Sequence, residues 1–332
     1  MSLYKTILVA LGPERKLSAA VHRGIELARR NSATLHLCVF DYQGLIDTAR
    51  AAVGAEVATL AEREFIRERL SWVSIQAAAL ADQGLRIECD VVWAPVLHEA
   101  VLGKALEIGA DLVLRDTAVD RHAPPRLHPS PADWKLLRLL PCALMLVHPD
   151  SAPASHHLLA AIDVTSARPR AAELNERLLG NTLALAQICE ADVDVVSAYS
   201  YVPLESDALG YAPEIYELVE KAHKSAFESF MKGRPLAADR QHRIFGEPSE
   251  AIAQCAAMQR ADLVVIGAAY HSGWDRLLFG STSESLLRQI SCDVLILKPD
   301  GFVEELGRHL DLAALRTRYR RLAAETPGVE RE

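Results

Sequence analysis

Two stretches of the chain decide its fold: WKLLRLLPCALMLVHPD (134–150) and ESLLRQISCDVLILKPD (284–300). At a constant offset of 150 residues they share a Leu-Leu-Arg triplet, a cysteine and a closing Pro-Asp. Just upstream, GADLVLRDTA (109–118) parallels RADLVVIGAA (260–269), shifted by one more residue. A repeat of this length is a full domain, so the sequence predicts a duplicated domain rather than a short-period solenoid.

Both halves alternate short apolar runs, rich in β-branched residues, with stretches of helical periodicity. The predicted strands are 5–11, 33–40, 86–93, 111–115 and 143–147 in the first half, and 158–163, 193–199, 240–246, 262–267 and 293–298 in the second. Strands that are apolar on both faces and separated by helices form parallel sheets covered on both sides. We therefore expect two tandem doubly wound α/β domains, 1–149 and 150–300, each with a five-stranded parallel sheet, followed by a helical tail, 301–332.

Composition excludes several classes of function. The 332 residues carry a net charge of −8 and contain no run of five basic residues, which argues against a nucleic-acid partner. No stretch approaches the roughly 18 apolar residues of a membrane span. The apolar run at the N-terminus is too short for a signal peptide, so we expect a cytoplasmic location. The six cysteines are scattered singly, so we expect neither disulfides nor a structural zinc site.

The stretch GAAYHSGWDRLLFGST (267–282) points to an anion site. Gly267 ends a predicted strand, where ligands of open α/β sheets bind, and Ser281 begins a predicted helix whose free N–H groups could hold a phosphate. Ser281 and Glu284 also form a capping-box pattern, which would serve only to start that helix. The glycines at both ends of the stretch favour the anion site, because a cap needs neither.

The segment VVIGAAYHSGWDRLLFGSTSESLLRQISCDVLILKP (264–299) resembles the universal stress protein family. ATP-binding members of that family carry G-x-x-G, nine residues, and then Gly-Ser or Gly-Thr. Gly267 matches the first position and Gly280-Ser281 the last pair, while the segment from His271 to Gly273 matches a common filling of the loop. Tyr270 stands where the pattern has its second glycine.

This resemblance implies an adenine nucleotide alpha hydrolase-like fold, with strand order 3-2-1-4-5 in each half. It also implies that the second half binds ATP or another adenine nucleotide, together with Mg²⁺. The family's aspartate at the end of the first strand corresponds to Asp163, although a carboxylate there could also serve only a strand-end turn. The implied lining is Ala161, Asp163, Ala198, Ile266, Gly267, Tyr270, His271, Gly273, Gly280, Ser281 and Thr282.

The first half provides an internal comparison. Gly12 occupies the position of Asp163, and Asp116 occupies that of Gly267, where its charge would oppose a phosphate. Ser130-Pro131 replaces Gly280-Ser281, which predicts a helix start with a serine cap but without the N–H that an anion would use. We therefore expect a first half that keeps the helix and has lost the nucleotide site.

The two copies together are similar to the tandem, E-type subgroup of the family, whose members are associated with survival under stress. The resemblance implies that the two halves pair as an intrachain pseudo-dimer and that a homodimer of chains could follow. We expect no catalytic residues and no metal site, and at most slow ATP hydrolysis. For the tail, the helical spacing of 302–326 predicts a helix that packs on the protein.

A second hypothesis is a scaffold or carrier that binds no nucleotide. Tyr270 would then fill the site, and the apolar space between the halves would bind an apolar, lipid-like ligand or a partner protein. For the histidines at 148, 156 and 157, we favour a solvated linker over a metal site.

Overall fold

A computed structural model of the protein describes residues 2–81, 84–120, 125–166, 170–200, 212–268 and 281–317. The chain divides into two compact units. Unit 1 contains Met1–Thr117, Ser130–Ala154 and Gly301–Glu332, and unit 2 contains Ala118–Pro129 and Ser155–Asp300. No helix in the described part of the chain has the length and apolar content needed to cross a lipid bilayer.

Strands and helices alternate along most of the chain, as the hydrophobic pattern predicts. The strands are β1 (Thr6–Leu11), β2 (Thr34–Asp41), β3 (Arg86–Trp93), β4 (Leu112–Asp116), β5 (Ala118–Asp120), β6 (Arg126–His128), β7 (Ala143–Val147), β8 (His157–Ala161), β9 (Asp192–Tyr199), β10 (Gln241–Phe245), β11 (Leu263–Gly267) and β12 (Asp293–Leu297). The helices are α1 (Ala19–Asn31), α2 (Gly44–Val53), α3 (Ala55–Ala81), α4 (Leu97–Ile108), α5 (Pro131–Leu139), α6 (Ala171–Cys189), α7 (Ala212–Met231), α8 (Pro248–Met258), α9 (Ser281–Leu287) and α10 (Phe302–His309).

Unit 1 contains a parallel sheet with strand order β3-β2-β1-β4-β7. Its central strands are buried along nearly their whole length, because helices cover both faces of such a sheet. Unit 2 repeats the arrangement as β10-β9-β8-β11-β12, again with every neighbour parallel. Counted within each unit, with β7 as the fifth strand of unit 1 and β8 as the first of unit 2, both orders are 3-2-1-4-5. The predicted fold class and strand order are therefore confirmed in both units.

An antiparallel hairpin, β5–β6, is absent from the predicted elements. It pairs Ala118 with His128 and Asp120 with Arg126. Leu127 of this hairpin is buried, and its N–H donates to the Ile290 carbonyl at 3.0 Å. The hairpin therefore groups with unit 2, although its position in the chain is within the first repeat.

The segment between the repeats is only partly solvated: Asp150, Pro153 and His156 are exposed, but other residues are held. His148 is buried, with only 4 % of its surface exposed, and its Nδ1 accepts the Asp150 N–H. The N–H groups of His156 and His157 both donate to the Asp262 carboxylate, and His157 is already the first residue of β8. The two bonds to Asp262 fix the end of the segment beside the start of β11.

The described part of the C-terminal tail begins with α10. Phe302 and Leu306 are buried, which fits the predicted helical spacing of the apolar residues. This helix groups with unit 1.

Candidate functional site

A cavity of about 500 Å³ opens at the carboxyl edge of the unit 2 sheet. It lies where β8, β9 and β11 end and where α9 begins. Of the predicted site residues, those that line it are Ala161, Asp163, Ala198, Ile266, Gly267 and Thr282. A cavity of this size is typical of small-molecule sites, and this edge is where ligands of open α/β sheets bind.

Asp163 is held at the mouth of the cavity by its backbone. Its N–H donates to Asn175 Oδ1 at 3.1 Å, and its carbonyl accepts from Asn175 Nδ2 at 2.8 Å. Asn175 is a buried residue of α6, so the turn after β8 is fixed to that helix. The Asp163 side chain itself is exposed and accepts the Thr165 N–H at 3.3 Å. The backbone of Asp163 is therefore fixed, while its carboxylate remains accessible to a ligand.

Gly267 allows β11 and α6 to approach closely. A Cβ built at this position would lie 2.6 Å from Leu174 Cδ2 and 2.9 Å from Leu174 Cγ. Leu174 itself lines the cavity. A side chain at this position would therefore displace Leu174, whatever ligand the cavity holds.

A buried histidine, His223 of α7, also borders the cavity. Its Nε2 lies 2.9 Å from Ser197 Oγ of β9, and its ring stacks on Tyr199 with centroids 4.4 Å apart. Burial, followed by the Arg243 guanidinium, lowers the pKa of His223, and Asp163 opposes that shift. The imidazole is therefore neutral near pH 7.

The remaining lining is mostly apolar. Of the lining residues that the structure describes, only Asp163 carries a charge at neutral pH, and neither lysine nor arginine is among them. The apolar part of the lining includes Leu174, Leu178, Val219, Ile252 and Leu286. Such a lining suits the flat face of a base or an aliphatic chain better than a naked triphosphate.

Several predicted site residues cannot be placed. Tyr270, His271, Gly273 and Gly280 lie outside the described residues. Ser281 begins α9, as predicted, with Thr282 and Ser283 of its first turn lining the cavity. Tyr216 of α7 packs edge-on against Phe245, with ring centroids 4.9 Å apart.

Unit 1 shows what replaced the corresponding site. Asp116 ends β4 just as Gly267 ends β11, and each pairs with the last residue of the neighbouring strand. The Asp116 carboxylate accepts the Ala20 N–H at 3.0 Å, in the first turn of α1. The carboxylate of Asp116 thus caps the N-terminus of α1. At α5, Ser130 and Asp133 form the predicted N-terminal cap, with Pro131 at the first helical position.

Asn175 and His223 are the site residues that the sequence analysis missed. A signal for His223 exists, because Val219, His223 and Phe227 are spaced by four residues and share one face of α7. A histidine on an apolar face is a buried polar group that needs a partner. For Asn175 the signal is weaker: an asparagine of low helix propensity within a helical pattern.

Comparison with known proteins identifies relatives that match most of the chain. The chain is 27 % identical over 311 residues to universal stress protein E of Escherichia coli strain K12, covering 91 % of this chain and 96 % of that protein. It is 25 % identical over 312 residues to universal stress protein E of Photorhabdus laumondii, covering 91 % and 97 %. A crystal structure from Pseudomonas aeruginosa shares the fold, with a TM-score of 0.72 at 21 % identity, covering 96 % and 98 %.

The model of the universal stress protein family matches the chain twice. The matched residues are 3–148 and 155–298, one copy for each series of five parallel strands. The chain therefore belongs to the universal stress protein family, as a tandem member with two copies of its domain.

Proposed function

We propose that unit 2 binds ATP or another adenine nucleotide, and that this weak binding, rather than catalysis, is the biochemical role of the chain in a stress response. One observation carries the proposal: the cavity at the carboxyl edge of the unit 2 sheet brings together Asp163, Ala198, Gly267 and Thr282, which the family resemblance had implied.

The chemistry of the lining supports a nucleoside. The Asp163 carboxylate is an acceptor for ribose hydroxyl groups, and its backbone is fixed by two hydrogen bonds to Asn175. The apolar residues around it provide a surface for the base. Thr282 and Ser283, in the first turn of α9, add hydroxyl groups to the lining.

Fast hydrolysis is not part of the proposal. The described lining offers no lysine or arginine clamp for the phosphates. Mg²⁺ would come with the nucleotide, since this ion is often bound through substrate phosphates, and no cluster in the described residues could hold a metal by itself.

The test is a thermal melt of the whole protein with and without ATP and Mg²⁺. A ligand at 100 times its Kd stabilises the folded state by about 2.7 kcal/mol, so the melting temperature should rise by several degrees. Asp163→Ala should abolish most of this rise. Asp239→Ala is the matched control, because Asp239 is also an exposed aspartate of unit 2 but does not line the cavity. If wild type and Asp163→Ala shift equally, Asp163 has no part in binding.

The apolar lining favours a second candidate, a carrier of an apolar ligand. In that case adenine nucleotides would leave the melting temperature unchanged, and a medium-chain fatty acid would raise it. Tyr270→Gly tests the role of the tyrosine in the loop. This variant gains nucleotide affinity only if the tyrosine ring occupies the site.

A further inference from the structure

His223 is held firmly at one end of the cavity. Ser197 contacts its Nε2 from β9, the Tyr199 ring stacks on one side at an interplanar angle of 23°, and the Phe227 ring lies parallel to within 17°. None of its surface is exposed to solvent. The ring is therefore fixed in place before any ligand arrives.

The second ring nitrogen, Nδ1, is buried and has no hydrogen-bond partner among the described residues. Buried side-chain polar atoms nearly always have one, because leaving such an atom unpaired destabilises the fold. His223 lines the cavity although its surface is covered, so a ligand that displaces the covering side chains could supply the missing partner.

The imidazole suits an uncharged partner. A neutral histidine has one nitrogen that donates and one that accepts, and the Ser197 hydroxyl can pair with either form. Nδ1 can thus donate to, or accept from, the polar edge of a neutral ring.

The topology places His223 on the base side of the cavity rather than the phosphate side. It is attached to β9, which lies on one side of the central β8. The hydroxyl groups of Thr282 and Ser283 lie at the start of α9, after β11, which is on the other side of β8. On this strand order we place the two groups on different sides of Asp163, which follows β8.

We propose that His223 binds the nucleobase in this cavity, through a hydrogen bond between its Nδ1 and the edge of a base stacked among the apolar residues next to β9. This inference rests on the proposed function of the same cavity.

The test compares wild type with the double variant Ser197→Ala/His223→Phe, using ATP with Mg²⁺ and, separately, adenosine as probes. The double variant keeps an aromatic ring and leaves no unpaired polar atom of this pair. We expect an unchanged or higher melting temperature without ligand, but an affinity about tenfold lower for both probes. Ser197→Ala alone, which retains the imidazole, should keep most of the affinity.

A second pair of variants covers the case in which the double variant is poorly folded. His223→Gln can still reach Ser197 but lacks a polar group at the Nδ1 position, whereas His223→Asn keeps a polar group near Nδ1 and loses the contact with Ser197. We expect His223→Asn to bind adenosine more tightly than His223→Gln.

Three results would overturn the inference. Unchanged affinity in the double variant would mean that His223 is only structural. Weaker ATP binding with unchanged adenosine binding would move the contact from the base to the phosphates. If wild type itself binds neither probe, the proposed function fails and takes the inference with it, an outcome that the wild-type measurement alone identifies.

Discussion

At Gly267 the backbone of β11 lies so close to Leu174 that any added side chain would displace the leucine. The family pattern identifies this glycine from the sequence alone, but as a residue near a phosphate. Its packing role depends on a leucine 93 positions earlier in the chain, which no local pattern reveals. The structure therefore adds a second reason for the same residue.

We predict that Gly267→Ala destabilises unit 2 by about 1–3 kcal/mol, since the new methyl group overpacks the contact with Leu174. Urea denaturation measures the change. Gly12→Ala is the control, because nothing lies within 4 Å of a Cβ built there, and it should alter stability by less than about 0.5 kcal/mol. Equal effects of the two substitutions would contradict the packing role. In a Leu174→Ala background, Gly267→Ala should cost less stability than it does in the wild type.

The position of Asp163 could be predicted from the sequence, but the hydrogen bonds that hold it could not. Its position after β8 follows from the family pattern, and the structure places it in the cavity lining. The way in which it is held could not be predicted, because Asn175 resembles an ordinary polar residue of α6 until both of its hydrogen bonds are known. His223 was missed for the same reason: its partner Ser197 belongs to a different element.

Among the secondary-structure elements, three strands of unit 2 are joined by one buried carboxylate. Asp194 of β9 is fully buried and accepts from His157 of β8, from His242 of β10 at 2.6 Å and from Arg240 at 3.0 Å. The cluster lies near the starts of these strands, at the opposite edge from the cavity. Burial raises the pKa of Asp194, but the hydrogen bonds from His242, His157 and Arg240 outweigh burial and hold the pKa below its usual value.

A carboxylate whose pKa is lowered by folding stabilises the protein at pH values above its unfolded pKa of about 3.9, and that stabilisation disappears as the pH falls through the folded pKa. We predict that Asp194→Asn lowers the stability of unit 2 at pH 7 by about 3 kcal/mol, because it removes the charge that pairs with these side chains. The difference from wild type should shrink as the pH falls from 5 to 3. Denaturation curves over this range test it, and a difference independent of pH would contradict the assignment.

Most of the ten parallel strands could be predicted because they are short apolar runs that end in polar or glycine-rich sequence, although β10 (Gln-His-Arg-Ile-Phe) is largely polar. The β5–β6 hairpin could not. Its strands have three residues each, and the prolines nearby are typical of a loop. What stabilises it is the burial of Leu127 and a backbone bond to Ile290, and these partners are far apart in the chain.

For the whole molecule, the sequence reveals the duplication but not how contacts divide the chain. The repeat offset and the family match both place residues 118–129 in the first copy. The structure groups these residues with unit 2, and groups the described part of the tail with unit 1. Position along the chain is therefore an incomplete guide to which unit a residue stabilises.

We predict that Leu127→Ala weakens unit 2, although Leu127 belongs to the first repeat. Truncating a buried leucine costs about 2–5 kcal/mol. Hydrogen exchange of the whole protein, read peptide by peptide, should show faster exchange in α9 and β12 than in wild type. Leu114→Ala in β4, also fully buried, should instead accelerate exchange in β1 and β7. Faster exchange confined to unit 1 in the Leu127 variant would contradict the grouping.

The interleaved grouping limits how this protein can be taken apart or recombined. The chain passes between units after Thr117, Pro129, Ala154 and Asp300, so no single cut leaves two intact modules. A gene fragment that ends between the repeats would encode a first copy carrying a hairpin that belongs elsewhere, and a second copy deprived of it. The two copies of the domain therefore do not coincide with two separable parts of this chain.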